Sequence, residues 1–135
     1  TLFFENYYNW TGINIEPMPN IFIELSNNRP NCINYNCAIS DVDGTAEFIH
    51  NKGYTEMLSG LKEYYDNRHI IRRDKEINLN GGYSEIIEVN TKRLETILDK
   101  NNIKHINYLS IDVEGAEFSV IKSINFNKHL FLLRV

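Results

Sequence analysis

Tyr108-Leu109-Ser110-Ile111-Asp112-Val113-Glu114-Gly115-Ala116-Glu117 is the most informative segment of the chain. Its apolar first half predicts a buried strand over 108–112 that ends abruptly among three carboxylates, those of Asp112, Glu114 and Glu117. In an open α/β sheet, ligands bind in the crevice at the carboxyl ends of the strands. Acidic residues in that position therefore indicate a binding or catalytic site.

A second acidic residue occupies the same kind of position near the start of the chain. Residues 10–15 read as a short strand that ends at Glu16, and Pro17 prevents further backbone pairing. In nucleotide-binding α/β folds, the acid that ends the second strand accepts hydrogen bonds from ribose hydroxyls and lies about 20 residues after a glycine-rich turn. Counting back from Glu16 passes Thr1, so we expect the first strand and its glycine loop to be missing from this sequence.

Strand and helix patterns alternate through the rest of the chain, which implies an α/β fold with a mostly parallel sheet flanked by helices. A turn at 41–44, closed by Gly44, predicts a hairpin between the strands on either side of it. The patterns predict helices over 1–9, 18–28, 91–101 and 116–124, and strands over 32–39, 45–50, 84–89 and 130–134.

The segment 51–82 has the least regular pattern and is predicted to be an irregular insertion or lid, with a possible helix over 56–65. Long segments of this kind are commonly lids or binding loops. It carries the basic cluster Arg68, Arg72 and Arg73, which is either a solvated face or a clamp for an acidic acceptor. His50, just before this segment, and His69 within it are both candidate bases, although a surface or hydrogen-bonded role is more common for histidine.

Composition predicts an ordinary single domain over 1–135, since the chain is 42% hydrophobic and 24% charged. No apolar run approaches the roughly 20 residues that span a bilayer, so we expect no membrane partner. A net charge of -4 argues against binding to a nucleic-acid backbone. Cys32 and Cys37 would point to opposite faces of one strand and remain unbonded, which favours a reducing, cytoplasmic location.

Several blocks of the sequence together resemble the FkbM-type S-adenosylmethionine-dependent methyltransferases. The resemblance covers nearly the whole chain, and it implies a class I methyltransferase (Rossmann-like) fold. The glycine-containing first motif of the family would precede Thr1 and its last strands would follow Val135, so we expect a fold that is incomplete at both ends. The similar blocks, in order, are Asn9-Trp10-Thr11-Gly12-Ile13-Asn14-Ile15-Glu16-Pro17-Met18-Pro19, Asn28-Arg29-Pro30, Cys37-Ala38-Ile39-Ser40 and 108–117.

The resemblance implies methylation of a hydroxyl of a sugar or small metabolite, with S-adenosylmethionine as cofactor and a small molecule or glycan as acceptor. Glu16 would accept from both ribose hydroxyls, because a carboxylate can bind two donors at once. The alternative is an ordinary acid at a strand end. Pro17 and Met18 would lie against one adenine face, and the small residues Cys37 and Ala38 would allow backbone groups to reach the adenine edge. Cys37 and Ala38 are equally compatible with simple core packing.

Asp112 is the strongest candidate in the acidic segment, because its carboxylate would hold the ammonium of the cofactor and favour the nearby sulfonium charge. Transfer to oxygen also needs a base, and either Asp112 or Glu114 could provide it. Glu117 fits a capping role at a helix N-terminus. No histidine or further acid lies close in sequence, so we expect no metal site.

Other functional classes remain open on the sequence. The chain could be a non-catalytic fragment or pseudoenzyme that serves as a binding or interaction module, since a fold does not imply a function. A nicotinamide-dependent dehydrogenase would share the ribose role of Glu16, but no catalytic Tyr-x-x-x-Lys pair is evident. An RNA methyltransferase is disfavoured by the acidic net charge.

Overall fold

A computed structural model of the protein describes residues 2–131. The chain divides into two compact units, one that ends at Ala38 and one that begins at Ile39. Both contain helices and strands, which confirms the predicted α/β class. The interpretation of 1–135 as a single domain stays a prediction.

The first unit is built around a parallel pair of short strands. Its elements are α1 (Leu2–Tyr8), β1 (Ile13–Ile15), α2 (Pro19–Asn28) and β2 (Ile33–Tyr35). In the β1–β2 pair, Ile15 lies opposite Tyr35. Proline is favoured at the first turn of a helix because its missing N–H has no partner there in any case. The helix α2 begins at Pro19 and ends at Asn28, which confirms the helix predicted over 18–28.

The helix α1 is held by an ion pair and by aromatic packing. The guanidinium of Arg29 donates from both Nε and Nη2 to the carboxylate of Glu5, and both side chains are largely buried. Two-point guanidinium–carboxylate contacts are stronger and more directional than single ones. Phe4 also stacks on Trp10, with 4.5 Å between the ring centroids. These contacts explain how the helix is held although none of its residues is fully buried.

The second unit contains a four-stranded sheet with the order β3-β6-β4-β5 and a separate parallel pair, β7 and β8. Strand β4 runs antiparallel to β6 from the pair Gly44–Thr91 to the pair Lys52–Tyr83, and antiparallel to β5 as well. In chain order, the strands and helices from Ala38 onward are β3 (Ala38–Ile39), β4 (Gly44–Lys52), β5 (Gly60–Leu61), α3 (Asn67–Asn80), β6 (Tyr83–Lys92), α4 (Leu94–Lys100), β7 (His105–Ile106), α5 (Glu117–Lys122) and β8 (Leu130–Phe131).

This sheet corrects two predictions. Its long β4–β6 pairing is antiparallel, so a mostly parallel sheet flanked by helices is not seen in residues 2–131. The predicted hairpin at 41–44 is also wrong, because β6 lies between β3 and β4. The chain reverses at Gly81 and Gly82, which have φ values of +76° and +120°. A side chain on Gly82 would begin 2.4 Å from the carbonyl oxygen of Lys52, so only glycine allows β6 to start so close to the end of β4.

The segment 51–82 contains regular structure. Two short 3-10 helices, Gly53–Leu58 and Lys62–Tyr64, flank β5. The α-helix predicted over 56–65 is wrong, and the helix of this segment is α3 at 67–80 instead. It starts there because the carboxylate of Asp66 caps its first backbone N–H groups, and it ends at Gly81. The function of this segment as a lid stays a prediction.

The strand predicted over 108–112 is also wrong. Backbone pairing occurs just before it, at β7, which runs parallel to β8. A strand needs a neighbour to satisfy its N–H and C=O groups, and no other strand among residues 2–131 pairs with 108–112. The helix predicted over 116–124 is confirmed as α5, and the strand predicted from Leu130 is confirmed at β8, whereas residues 132–135 lie outside the described part of the chain.

The buried apolar residues of the second unit lie on β4, β5, β6, α4 and α5 and in the turns beside them. Ile97 is the most buried apolar residue of α4, with an exposed fraction of 1%. Within residues 2–131, no helix is both long enough and apolar enough to cross a bilayer. The core residues are Phe48, Ile49, Leu58, Leu61, Val89, Leu94, Ile97, Leu98, Ala116, Val120 and Ile124.

Candidate active site

Glu16 lies at the carboxyl end of β1, as the sequence predicts. Its backbone N–H donates to the carbonyl of Tyr35 at 3.0 Å, continuing the parallel pairing by one residue. The side-chain amide of Asn36 donates to the carbonyls of Glu16 and Pro17, at 2.8 and 3.0 Å. Asn36 thus holds the backbone on either side of the Glu16–Pro17 bond. The sequence analysis did not single it out, although an amide directly after a parallel strand is a usable signal.

The carboxylate of Glu16 is half-buried and has a local structural partner. Its Oε1 accepts a hydrogen bond of 2.8 Å from the backbone N–H of Met18, just before α2 begins. A carboxylate has about four acceptor positions, and this bond occupies one of them. Pro17 and Met18 are half-buried beside it. The geometry is compatible with both the capping role and the ribose role.

Cys37 and Ala38 follow the end of β2 and are buried, with exposed fractions of 3% and 5%. This burial fits the interpretation of Cys37 and Ala38 as core residues. Their assignment to the adenine edge stays a prediction. No disulfide joins Cys32 to Cys37.

In the second unit, the acidic segment forms a tight turn. Asp112 is exposed, and Glu114 adopts a left-handed conformation with φ of +48°, followed by Gly115 with φ of +104°. A left-handed conformation in a residue other than glycine costs about 1–3 kcal/mol and persists only where the surroundings impose it. Glu117 begins α5 and accepts from the N–H of Gly115 at 3.3 Å, which fits its predicted local capping role.

The surroundings that impose this turn come from the segment 60–69. A Cβ added to Gly115 would lie 3.0 Å from the carbonyl oxygen of Tyr64 and 3.3 Å from Cε1 of His69. A Cβ on Gly60 would lie 3.6 Å from Cβ of Glu114. The turn therefore packs directly against residues that are about 50 positions away in sequence, a proximity that no local pattern indicates.

This packing brings His69 between two carboxylates. Its Nδ1 lies 3.1 Å from Oδ1 of Asp66, and its Nε2 lies 4.0 Å from Oε2 of Glu114. Hydrogen bonds from the backbone N–H of His69 and from the side chain of Arg68 lower the pKa of Asp66 to about 2. Asp66 is therefore charged at neutral pH. The sequence analysis missed it, although aspartate directly before a helix is a recognisable N-cap.

A buried hydrogen-bond chain supports the same segment. Ser84 donates to Oδ1 of Asn51 at 2.6 Å, Asn51 donates to the hydroxyl of Tyr65 at 3.2 Å, and Tyr65 donates to the carbonyl of Leu58 at 2.8 Å. The ring of Tyr65 lies 5.5 Å from that of His69. Burial raises the pKa of the Tyr65 phenol, so it remains a neutral donor.

Residues 1–133 match the family model of the methyltransferase FkbM domain. The chain belongs to the FkbM methyltransferase family. No curated protein and no solved structure gives a significant match. Methyltransferases of this family generally use S-adenosylmethionine.

Other titratable groups of this FkbM methyltransferase domain are engaged elsewhere. His50 is buried opposite Glu85 on the neighbouring strand, with its Nδ1 at 3.4 Å from the glutamate Oε1. In the basic cluster of α3, Arg68 pairs with Asp66 and Arg73 pairs with Asp74. The Arg68 side chain is 90% exposed, which fits a solvated face, whereas the guanidinium of Arg73 lies over the ring of Tyr65, 5.8 Å from its centroid. Across residues 2–131, no group of three or more His, Cys, Asp and Glu side chains is arranged to hold a metal ion.

Proposed function

We propose that this FkbM domain is an S-adenosylmethionine-dependent methyltransferase that acts on a hydroxyl of a sugar or small metabolite. The observation that carries the choice of a hydroxyl is the turn at 112–115, where Glu114 faces His69 across 4.0 Å. A hydroxyl must lose its proton during methyl transfer, and proton acceptors positioned close to the acceptor atom accelerate that step by about 10² to 10⁴-fold. Asp112 and Glu114 are the catalytic residues of the proposal, either of them a possible base.

The residues that would hold the cofactor have suitable chemistry. S-adenosylmethionine would supply a methyl group that is already activated by the positive charge on sulfur. Glu16, at a strand end and half-buried, would accept from the ribose hydroxyls, with Pro17 and Met18 at the adenine face. We also assign Cys37 and Ala38 to the adenine edge and the exposed carboxylate of Asp112 to the ammonium group.

Calorimetric titration with S-adenosylmethionine tests the proposal. We expect micromolar binding by the natural chain and by Glu24→Ala, a control that removes an exposed acid on α2. Glu16→Ala should bind at least about 100-fold more weakly, since two charge-assisted hydrogen bonds of about 1.5–3 kcal/mol each would be lost. Circular dichroism of each variant shows whether it is folded.

The absence of binding by a folded natural chain would contradict the proposal and favour a non-catalytic fragment or pseudoenzyme that acts as an interaction module. Equal loss of binding in Glu16→Ala and Glu24→Ala would contradict the ribose assignment. The proposal includes a small-molecule or glycan acceptor rather than nucleic acid, because the net charge is -4. It also includes a cytoplasmic location, which is consistent with two cysteines that are not joined to each other, Cys32 and Cys37.

A further inference from the structure

The imidazole of His69 lies between two carboxylates, one near each of its nitrogen atoms. Nδ1 is buried and lies 3.1 Å from Oδ1 of Asp66 without forming a hydrogen bond in this structure. Nε2 faces Oε2 of Glu114 at 4.0 Å, and the side chains of His69 and Glu114 are each 24% exposed. The nitrogen that faces the acidic turn therefore belongs to a ring that ligands can reach.

The surroundings restrict the orientation of this ring. The carboxylate of Asp66 is fixed by hydrogen bonds from the backbone N–H groups of Arg68 and His69, at 2.8 and 3.0 Å. The backbone of Gly115 packs against one edge of the imidazole, close enough that a Cβ there would lie 3.3 Å from Cε1. The Tyr65 ring lies 5.5 Å away. A charged carboxylate beside one nitrogen of a neutral imidazole favours the tautomer that carries its proton on that nitrogen, which leaves the other nitrogen as an acceptor.

We propose that His69 is the general base of the methyl transfer, with Asp66 as the positioning residue that orients it. This inference rests on the proposed function and deepens it, because it gives the proton to His69 instead of Asp112 or Glu114. Glu114 then holds the acceptor, and Asp112 keeps its role at the ammonium group of the cofactor. The 4.0 Å between Nε2 and Glu114 is too long for a direct hydrogen bond. An acceptor hydroxyl placed between them can donate to Nε2, while a neighbouring hydroxyl of the same sugar donates to Glu114.

In the proposed step, the acceptor hydroxyl gains a methyl group and loses its proton to His69. The acceptor oxygen forms a bond to the methyl carbon as the carbon–sulfur bond breaks, and the sulfur leaves as a neutral thioether. The hydroxyl proton moves to Nε2 of His69, which becomes an imidazolium next to the negative charge of Asp66. Glu114 remains a carboxylate and holds the acceptor, so the three residues have separate functions.

The first test is the tautomer of His69, which is independent of activity. Nitrogen-15 NMR of the natural chain should show a neutral ring protonated on Nδ1, facing Asp66, with Nε2 available as an acceptor. Asp66→Asn should abolish this preference, whereas Glu114→Gln should preserve it. His105 is exposed and provides an internal reference for an unconstrained ring. A ring protonated on Nε2 in the natural chain would overturn the positioning role of Asp66.

The second test measures methyl transfer from S-adenosylmethionine to the methyl glycosides of glucose, galactose, mannose and fucose. His69→Gln should lower kcat by about 10² to 10⁴-fold while S-adenosylmethionine affinity is unchanged. Imidazole added to His69→Ala should restore part of the rate, which it could not do if His69 were merely structural. His105→Gln is the matched control, because it removes an exposed imidazole.

The outcomes separate this inference from the proposed function. If the natural chain does not bind S-adenosylmethionine, the proposed function fails and the role of His69 fails with it. If the chain binds the cofactor but methylates none of the glycosides, a sugar hydroxyl is not the acceptor and the proposed base is overturned. If methylation occurs and His69→Gln keeps the natural rate, only the role of His69 is wrong.

Discussion

The carbonyl oxygen of Tyr64 lies 3.0 Å from the position that a Cβ on Gly115 would occupy. This close approach joins the acidic turn to the segment that precedes α3, and it leaves no room for a side chain on the turn. Gly115 also has φ of +104°, which disfavours every other residue. The arrangement of Glu114 and His69 therefore depends on one glycine.

Gly115→Ala should destabilise the fold by more than the left-handed backbone alone would explain. Strained backbone costs about 1–3 kcal/mol, and displacement of Tyr64 adds to it. Gly81→Ala is the matched control, because Gly81 also has positive φ, +76°, but no atom lies within 4 Å of its Cβ position. Urea denaturation measures both variants, and equal losses of unfolding free energy would contradict the packing explanation.

Asp66 predicts a specific pH dependence of stability. Its pKa is lowered from 3.8 to about 2 in the folded chain, so its carboxylate stabilises the fold fully above about pH 4. That contribution is lost as the pH falls through about 2, where the folded chain takes up the proton. The thermal midpoint of the natural chain should exceed that of Asp66→Asn at neutral pH, and the difference should shrink toward pH 2.

Asparagine remains a good N-cap, so Asp66→Asn removes the charge with little loss of helix capping. Asp74→Asn, which removes an exposed carboxylate of α3, is the control and should show no comparable change with pH. A difference between the natural chain and Asp66→Asn that stays constant down to pH 2 would contradict the assignment of the low pKa to Asp66.

Tyr65→Phe should lower the free energy of unfolding by about 1–3 kcal/mol, because the buried carbonyl of Leu58 and the amide of Asn51 would lose a partner. The change leaves the ring and its packing in place. Tyr54→Phe is the matched control, since Tyr54 is 61% exposed. Chemical denaturation should separate the two variants clearly, and indistinguishable midpoints would show that the buried chain contributes little.

Asn36→Ala should weaken binding of S-adenosylmethionine about fivefold, which corresponds to about 1 kcal/mol. The side chain of Asn36 holds the carbonyls of Glu16 and Pro17, so its loss loosens the backbone that presents the carboxylate. Asn27→Ala, at an exposed position of α2, is the control. Calorimetry measures both, and unchanged affinity in Asn36→Ala would show that the backbone is held by other contacts.

Local signals were sufficient for the helix α2 and for the position of Glu16. Proline at the first turn predicted the start of α2, and the carboxylate of Glu16 does follow a parallel strand. The same kind of signal was available for α3, since Asp66 and Gly81 bound it, but the sequence analysis placed the helix of that segment too early. Interactions within a few residues control these features, so the sequence alone can indicate them.

Tertiary contacts decided the rest. The apolar pattern of 108–112 fits a strand, but pairing occurs at β7 instead, because a strand exists only where a neighbour satisfies its backbone. The antiparallel pairing of β4 with β6 and the contact of the acidic turn with His69 both join residues distant in sequence. Such contacts form only when the chain folds back on itself, and no periodicity in either partner specifies them. The acids of the candidate site and His69 could therefore be found from sequence, whereas the contact that brings Glu114 and His69 together could not.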